Sequence, residues 1–315
     1  MQTTSTASSP QLDHTIPNYP AFKLIDFSMQ PALHPRLALL KEGVSEFTFA
    51  ALYLFRTKYE FTLSVLPGEK LGISATYRGV PFLMFPCGLP DLEIVHELFR
   101  SHEYIKCLPE PFADAARIPL EQNGYCVIED RDNFDYLYRR KDLSELPGRK
   151  MHKKRNLVNA FINNYTYEEK KITSDNKKDA VYVLEKWMEN REDPGDYEQA
   201  LEGLEKMEEL NLSGCLTYVD ETPAAYSLGE PLAKGRFFAV HFEKGIGDYK
   251  GIYQFINRSF ASMLNKHYVY INREQDMGDP GLRQAKMSYR PSGFVKKYKV
   301  ISTETGDCAE YNDLG

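Results

Sequence analysis

The sequence predicts two α/β domains of the same build, each a mixed sheet carrying helices. Three observations lead there. The chain has 315 residues, enough for two domains of ~150 residues each. The same order of elements, ααβββαβαβ, can be read twice, the second time with one extra leading strand. A charged connector, Lys141–Arg155 with Pro147-Gly148 inside it, stands between the two readings. The repeat is one of element order and not of residues.

In the first half a helical stretch covers about Pro35 to Lys41. A second helix starts at Ser45, with Phe47, Ala50, Ala51, Leu54 and Phe55 at helical spacing. Strands are expected at Tyr59–Leu66, Leu71–Tyr77 and Pro81–Phe85, with Pro-Gly and Arg-Gly as their turns. Then come a helix at Asp91–Ser101, a strand at Tyr104–Leu108 and a helix at Pro111–Gln122 closed by Gly124. Strands at Tyr125–Glu129 and Phe134–Tyr138 end the half.

The second half opens with a strand at Tyr165–Ile172 and helices at Lys177–Asn190 and Tyr197–Leu210. A meander follows at Cys215–Val219, Ala224–Gly229 and Arg236–Glu243. The Gly245–Gly251 loop leads into a helix at Ile252–Lys266, a strand at Tyr268–Asn272, a helix at Pro280–Tyr289 and a last strand at Lys297–Ser302. Asp279 suits an N-cap and Pro280 the first helical position.

Composition narrows the function. Charged residues make up 27% and hydrophobic ones 42%, with a net charge of −6. A chain so balanced is not built to coat nucleic acid or membrane, and any anion site must be a local basic patch. Five cysteines, none in a C-x-x-C pair, argue against a disulfide framework or a zinc site and fit a reducing compartment. No metal-ligand spacing stands out. Met1–Pro10 lacks the charged start and apolar centre of a signal peptide, and no run approaches the ~20 apolar residues of a membrane helix. A cytoplasmic protein is expected, with residues 1–18 and the acidic tail 303–315 disordered.

Four motifs carry possible chemistry. Gly245, Gly247, Lys250 and Gly251 lie in a loop between a strand and a helix start. Unpaired N–H groups there can hold phosphate, although a plain strand–helix turn also needs glycine. His241 and Glu243 sit two apart on one strand. Alternation places them on one face, with Val240 and Phe242 on the other. Such a pair can accept a proton or orient a nucleophile, and Glu230 on the neighbouring strand can reach the same side. Asn272, Arg273 and Glu274 follow a strand's carboxyl end, where open α/β sheets bind ligands. On the next helix Leu282, Ala285, Lys286 and Tyr289 share a face, where Lys286 either snorkels or points into a polar pocket, the pocket being the expectation. Fourth, five Lys/Arg residues fall in the seven positions from Arg149 to Arg155. Like charges four apart repel, and positive charge at a helix start is unfavourable. Arg149, Lys150, His152, Lys153, Lys154, Arg155 and Asn156 therefore suit an anionic partner, although a solvated charge run is the plain alternative.

These residues resemble a known family. Ser45-Glu-Phe-Thr-Phe49, Asp132-Asn-Phe-Asp-Tyr136, the run Gly148–Asn156, Tyr270-Ile-Asn-Arg-Glu274 with Asp276 and Gly278, and Gly281-Leu-Arg-Gln-Ala-Lys286 with Ser288-Tyr289 are similar to the C-terminal domain of phosphatidylglycerol lysyltransferases. The resemblance runs from about residue 20 to 300. It implies tandem acyl-CoA N-acyltransferase (GNAT)-like domains, related to the Fem transferases. It places the first domain at 19–145 and the second, with the active site, at 146–302. It also implies an acyltransferase with no permanently bound cofactor, taking its acyl group from a co-substrate. The acetyl-CoA pattern Gln/Arg-x-x-Gly-x-Gly/Ala is absent, which favours aminoacyl-tRNA as donor over acyl-CoA. The acceptor is an amine or hydroxyl on a lipid headgroup, peptide or small molecule. In this reading His241, Glu243 and Tyr289 are catalytic. The basic run, Glu230, Asn272, Arg273, Glu274, Arg283 and Lys286 bind substrate, and peripheral contact with anionic lipid is a further use of the run. A CoA-dependent N-acyltransferase and a non-catalytic binder of tRNA or anionic lipid remain as alternatives.

Overall fold

The computed structural model of the protein describes residues 15–189 and 191–304. The first elements are β1 (Lys23–Leu24), α1 (Gln30–Ala38), α2 (Phe49–Leu54), α3 (Arg56–Tyr59), β2 (Thr62–Leu66), β3 (Lys70–Tyr77), β4 (Val80–Met84), α4 (Leu92–Leu98), β5 (Tyr104–Pro109), α5 (Glu110–Glu121) and β6 (Tyr125–Glu129). The helix expected to start at Ser45 starts later. The Thr48 hydroxyl accepts from Ala51 N at 3.0 Å and caps it. This leaves Glu46 free to accept from Lys297 Nζ at 2.5 Å and from the Cys107 thiol at 3.3 Å.

The chain continues through β7 (Asp135–Arg139), α6 (Arg140–Glu145), α7 (His152–Asn164), β8 (Tyr167–Lys171), α8 (Lys177–Met188), α9 (Tyr197–Glu205), β9 (Ser213–Val219), β10 (Thr222–Leu232), β11 (Phe237–Gly245), α10 (Ile252–Met263), β12 (Tyr270–Asn272), α11 (Pro280–Met287) and β13 (Gly293–Val295), and closes with β14 (Lys297–Ser302). The first sheet has the order β1-β2-β3-β4-β5-β14-β6. The second, taken from its far edge, runs β8-β9-β10-β11-β12-β7-β13. The two match position for position. Each has an antiparallel meander, a parallel pair (β4 with β5, β11 with β12) and then a strand from the other half of the sequence.

That last point corrects the expected boundaries. The strand expected to end the first half, now β7, belongs to the second sheet, and the strand expected to end the second half, β14, belongs to the first. One compact unit comprises the chain up to Arg131 and from Lys296 onward; the other is Asp132–Val295. Buried polar groups supply the reason. Asp135 of β7 accepts from Asn272 at 3.0 Å and Tyr136 donates to Asp276 at 2.5 Å, both within the second unit. Lys297 of β14 finds its carboxylate, Glu46, in the first. A buried charge placed in the sheet lacking its partner would be strongly unfavourable.

The predicted termini also need correction. Ile16 is buried, Val65 N donates to the Pro17 carbonyl and Tyr19 N donates to the Val65 carbonyl, so residues 15–18 are ordered. Thr303 donates to the Gly124 carbonyl from both its amide and its hydroxyl. Residues 1–14 and 305–315 lie outside the described residues. Cys87, Cys107 and Cys215 are free thiols, but Cys126 is disulfide-bonded. An odd cysteine count excludes complete pairing but not a single bridge.

In the second unit α10 buries Ile252, Phe255, Ile256 and Phe260 together with Phe161 of α7 and Phe238 and Val240 of β11. Each such side chain taken from water contributes roughly 1.5–3 kcal/mol before the entropy of ordering is counted. Gly251, at φ +90°, begins this helix, and a Cβ there would lie 2.2 Å from the Leu157 carbonyl of α7. Only glycine allows this approach.

Candidate functional site

β11 and β12 pair in parallel from Phe237 opposite Tyr270 to Ala239 opposite Asn272. Beyond that point β11 runs on to Gly245, while the chain after Asn272 leaves the sheet. The strands part, and side chains from both arms fill the opening.

A register shift on β10 controls which side chains those are. Val240 lies opposite Gly229 and Phe242 opposite Leu228, so His241 is an added residue on β11. Such a bulge breaks the alternation of faces. The expectation that His241 and Glu243 share a face therefore fails. Glu243 accepts from its cross-strand partner Ser227 at 3.3 Å. His241 instead bonds Glu230, three residues along β10 from Ser227 and hence on the other face. Arg273 and Glu274 show the same division. Being consecutive, they reach opposite sides: Arg273 to Glu243 at 2.7 Å, Glu274 to His241 at 2.7 Å.

His241 is enclosed, with Nδ1 on Glu274 and Nε2 on Glu230 at 3.0 Å and its side chain 3% exposed. Burial opposes the imidazolium, but hydrogen bonds to the two carboxylates outweigh it and push the pKa up to about 10. At neutral pH the ring carries both protons. Both ring nitrogens are engaged by carboxylates, so His241 ties Glu230 to Glu274 and orders the opening.

The other face is more open to chemistry. The Arg273 guanidinium is held by Glu243 and by the Asn257 carboxamide of α10, oriented to accept. Tyr289 lies beside it, with the guanidinium carbon 5.7 Å from the ring centre and Gln254 bonded to its hydroxyl. Lys154 Nζ sits 4.2 Å over the same ring. Burial first, and then the charge of Arg273, lower the Lys154 pKa. Burial pushes the Tyr289 phenol up to about 12, against the pull of Arg273, so it remains a hydrogen-bond donor. Two cations and a neutral phenol in one place suit an oxygen on which negative charge develops. Gln254 and Asn257 escape the sequence reading. Their signal was two polar residues three apart on the strongly apolar α10, and the buried Asn257 most of all.

The loop presenting Arg273 and Glu274 is fastened at both ends. Asn272 is fully buried; its amide nitrogen donates to Asp135 and its oxygen accepts from Glu274 N at 2.7 Å. Its role is structural, not that of a cleft wall. Arg283 forks between Asp132 at 2.5 Å and Asp276 at 2.9 Å. Although burial works against the Asp276 charge, Arg283, Tyr136 and Gly278 N hold its pKa down at about 2. Lys286 does not face a pocket. It donates to three consecutive carbonyls, those of Arg273 at 2.7 Å, Glu274 at 3.1 Å and Gln275 at 2.5 Å.

The glycine loop has a packing explanation at two positions. Gly245 ends β11 in the buried interior, and Gly251 admits α7. Lys250 N donates to the Tyr165 hydroxyl at 3.2 Å, whereas Gly247 is exposed with open space where a side chain would stand. The basic run divides as well. Gly148, at φ +73°, precedes a short 3-10 turn, Arg149–Met151, before α7 begins. Arg149, Lys150, His152, Lys153 and Asn156 are exposed. Lys154 turns toward Tyr289, and Arg155 donates to the Leu146 and Gly148 carbonyls. Arg155 thus secures the connector.

The family profile described as phosphatidylglycerol lysyltransferase, C-terminal, matches residues 37–301. The chain belongs to this family. A conserved protein of unknown function from Bacteroides thetaiotaomicron superposes with a TM-score of 0.79 at 28% identity, covering 89% of this chain and 99% of that one. A C-terminal domain assigned to a lysylphosphatidylglycerol synthetase of Agrobacterium fabrum gives 0.60 at 10% identity, covering 92% and 95%. FemX gives 0.56 at 8%, covering 90% and 98%. An uncharacterized protein of Mycoplasmoides gallisepticum is 28% identical over 202 residues, 59% of this chain; the match spans 63% of that relative's length. This member of the lysyltransferase family therefore has the tandem GNAT-like fold of the Fem transferases. Among the described residues no helix is long and apolar enough to cross a membrane.

Proposed function

We propose that this lysyltransferase-family member is an acyltransferase that moves an aminoacyl group from aminoacyl-tRNA to an amine or hydroxyl acceptor, in the cytoplasm. The observation that carries this reading is Lys154. It joins an exposed row of cations, Arg149, Lys150 and Lys153, to the Tyr289 ring beside Arg273. A polyanion drawn to the row by its phosphates would bring its acyl ester to the parted strands. There the acceptor attacks the ester carbonyl directly. The new bond to carbon forms, the carbonyl oxygen takes up negative charge near Arg273, Lys154 and the Tyr289 hydroxyl, and the ribose oxygen departs with the proton released by the acceptor. Positioning and charge stabilisation suffice for such a step. The family name supports an aminoacyl residue, such as lysyl, as the transferred group.

The test is incubation with tRNAs charged with labelled amino acids, alongside a panel of amine, hydroxyl-lipid and peptide acceptors. Transfer should occur with one charged tRNA and fall sharply in Arg273→Met and Tyr289→Phe. Stabilisation by acyl-CoA with no response to any tRNA would replace the donor. Absence of transfer with every donor, in a protein that still binds tRNA, would leave a binding role only.

A further inference from the structure

Within that reading of the opening as a transfer site, one half-buried lysine remains without a chemical task. Lys286 lies on α11, and its ammonium meets the carbonyls of Arg273, Glu274 and Gln275. Three successive carbonyls can converge on one point only if the backbone is curled, and Glu274 is indeed in the left-handed region at φ +55°. For a residue other than glycine this conformation is strained and persists only when its surroundings hold it. Other groups hold part of the loop: Arg273 N donates to the Tyr136 carbonyl, Tyr136 N to the Glu274 carbonyl at 3.2 Å, Glu274 N to the Asn272 side chain and Gly278 N to Asp276. The ammonium draws the three carbonyls to one point, sharing that of Glu274 with Tyr136 N.

We propose that Lys286 is a positioning residue, a clamp that curls the 273–275 backbone so that Arg273 and Glu274 are sent to opposite faces of the opening. Without it the Arg273 and Gln275 carbonyls would turn outward to find water, and Arg273 would leave Glu243 and Tyr289. An ammonium has three donors for three carbonyls, and a neutral amine has only two. The clamp therefore depends on the proton. Burial weakens the hold on that proton and brings the pKa down to about 8, with Arg273 acting in the same direction and Glu274, Asp135 and Asp276 opposing. The Tyr136 ring is the remaining neighbour, its centre 5.6 Å from Nζ. Since the folded lysine binds its proton less tightly than the unfolded one, losing it above pH 8 does not weaken the fold. The loss falls on the geometry of the loop alone.

The experiment compares wild type, Lys286→Met, Lys286→Arg and Lys286→Ala in the full chain. Glutamyl endopeptidase should cut after Glu274 faster in Lys286→Met than in wild type, and added n-propylammonium should restore protection to Lys286→Ala. In the charged-tRNA assay Lys286→Met should lower kcat about a hundredfold, the scale of a misplaced catalytic group, with KM for tRNA little changed. Wild-type kcat should decline as pH rises through about 8, and Lys286→Arg should move that decline upward. Wild-type protection of Glu274 in Lys286→Met, or the same alkaline decline in wild type and Lys286→Arg, would overturn the clamp. Should the wild type transfer nothing, the acyltransferase reading fails by itself, while proteolysis and ammonium rescue still decide the role of Lys286. Should Lys286→Met not fold, the comparison of Lys286→Arg with wild type decides it.

Discussion

Glu243 and Arg273 face each other at 2.7 Å across the point where β11 and β12 part, each side chain less than a fifth exposed. The pair joins two strands that no longer share backbone hydrogen bonds, and it holds Arg273 beside Tyr289.

Breaking this pair should cost stability as well as transfer. Glu243→Ala leaves the Arg273 charge buried without its carboxylate, and urea unfolding should register a loss of about 3 kcal/mol. The double change Glu243→Leu/Arg273→Met removes both charges and should recover most of that stability but no activity. Equal stability of the single and double variants would show that Arg273 finds another counter-ion.

His241 should remain charged through the neutral range. Its contribution to stability is complete below its ordinary value of 6.5, declines above it and is gone once pH has risen through about 10. Imidazole signals followed by NMR should show no titration between pH 5 and 8, limits chosen to bracket the ordinary histidine range. A midpoint near 6.5 would mean that Glu230 and Glu274 do not hold the ring as described.

Asp276 should govern part of the acid limb. Its folded pKa is about 2 against an ordinary 3.8, so its stabilisation is full above 3.8 and is lost as pH falls through about 2. The difference corresponds to about 2 kcal/mol. Asp276→Asn should lower stability at neutral pH by at least this amount and flatten stability against pH below 4, as seen in denaturant unfolding at a series of pH values.

Neighbouring cations of the basic run should behave differently. Lys153→Ala, on an exposed position, should change stability by no more than about 0.5 kcal/mol and reduce the salt dependence of tRNA binding by about one phosphate contact. Arg155→Ala frees the Leu146 and Gly148 carbonyls and should cost about 1–2 kcal/mol with a smaller effect on the salt slope. Filter binding across a salt series, beside thermal unfolding, separates the two.

The order of elements was legible because helical and strand periodicities are local, and Asp279 and Pro280 mark the start of α11 as their chemistry requires. The exchange of β7 and β14 was not legible. Phe134–Tyr138 and Lys297–Ser302 read as good strands anywhere, and their sheets are chosen by distant groups, Asn272 for Asp135 and Glu46 for Lys297. At the candidate site the residues were found but not their arrangement. One bulged residue, His241, reversed the faces expected of Glu243 and its neighbours, and a bulge leaves no mark in hydrophobic alternation. Lys286 looked like a cleft lysine because a helical face does not reveal the carbonyls that a curled loop will offer it.

The exchanged strands bear on how the molecule is made. The place between β5 and β6 in the first sheet is filled by Lys297–Ser302, so as the ribosome delivers the chain this sheet stays divided until those residues have emerged. Glu46 waits equally long for Lys297. The nascent chain therefore exposes open strand edges while the residues between β6 and β14 are made, an interval in which edge pairing with other chains is harmful. A fragment stopped at residue 145 would keep those edges for good, and it should be recovered as aggregate rather than as a free domain.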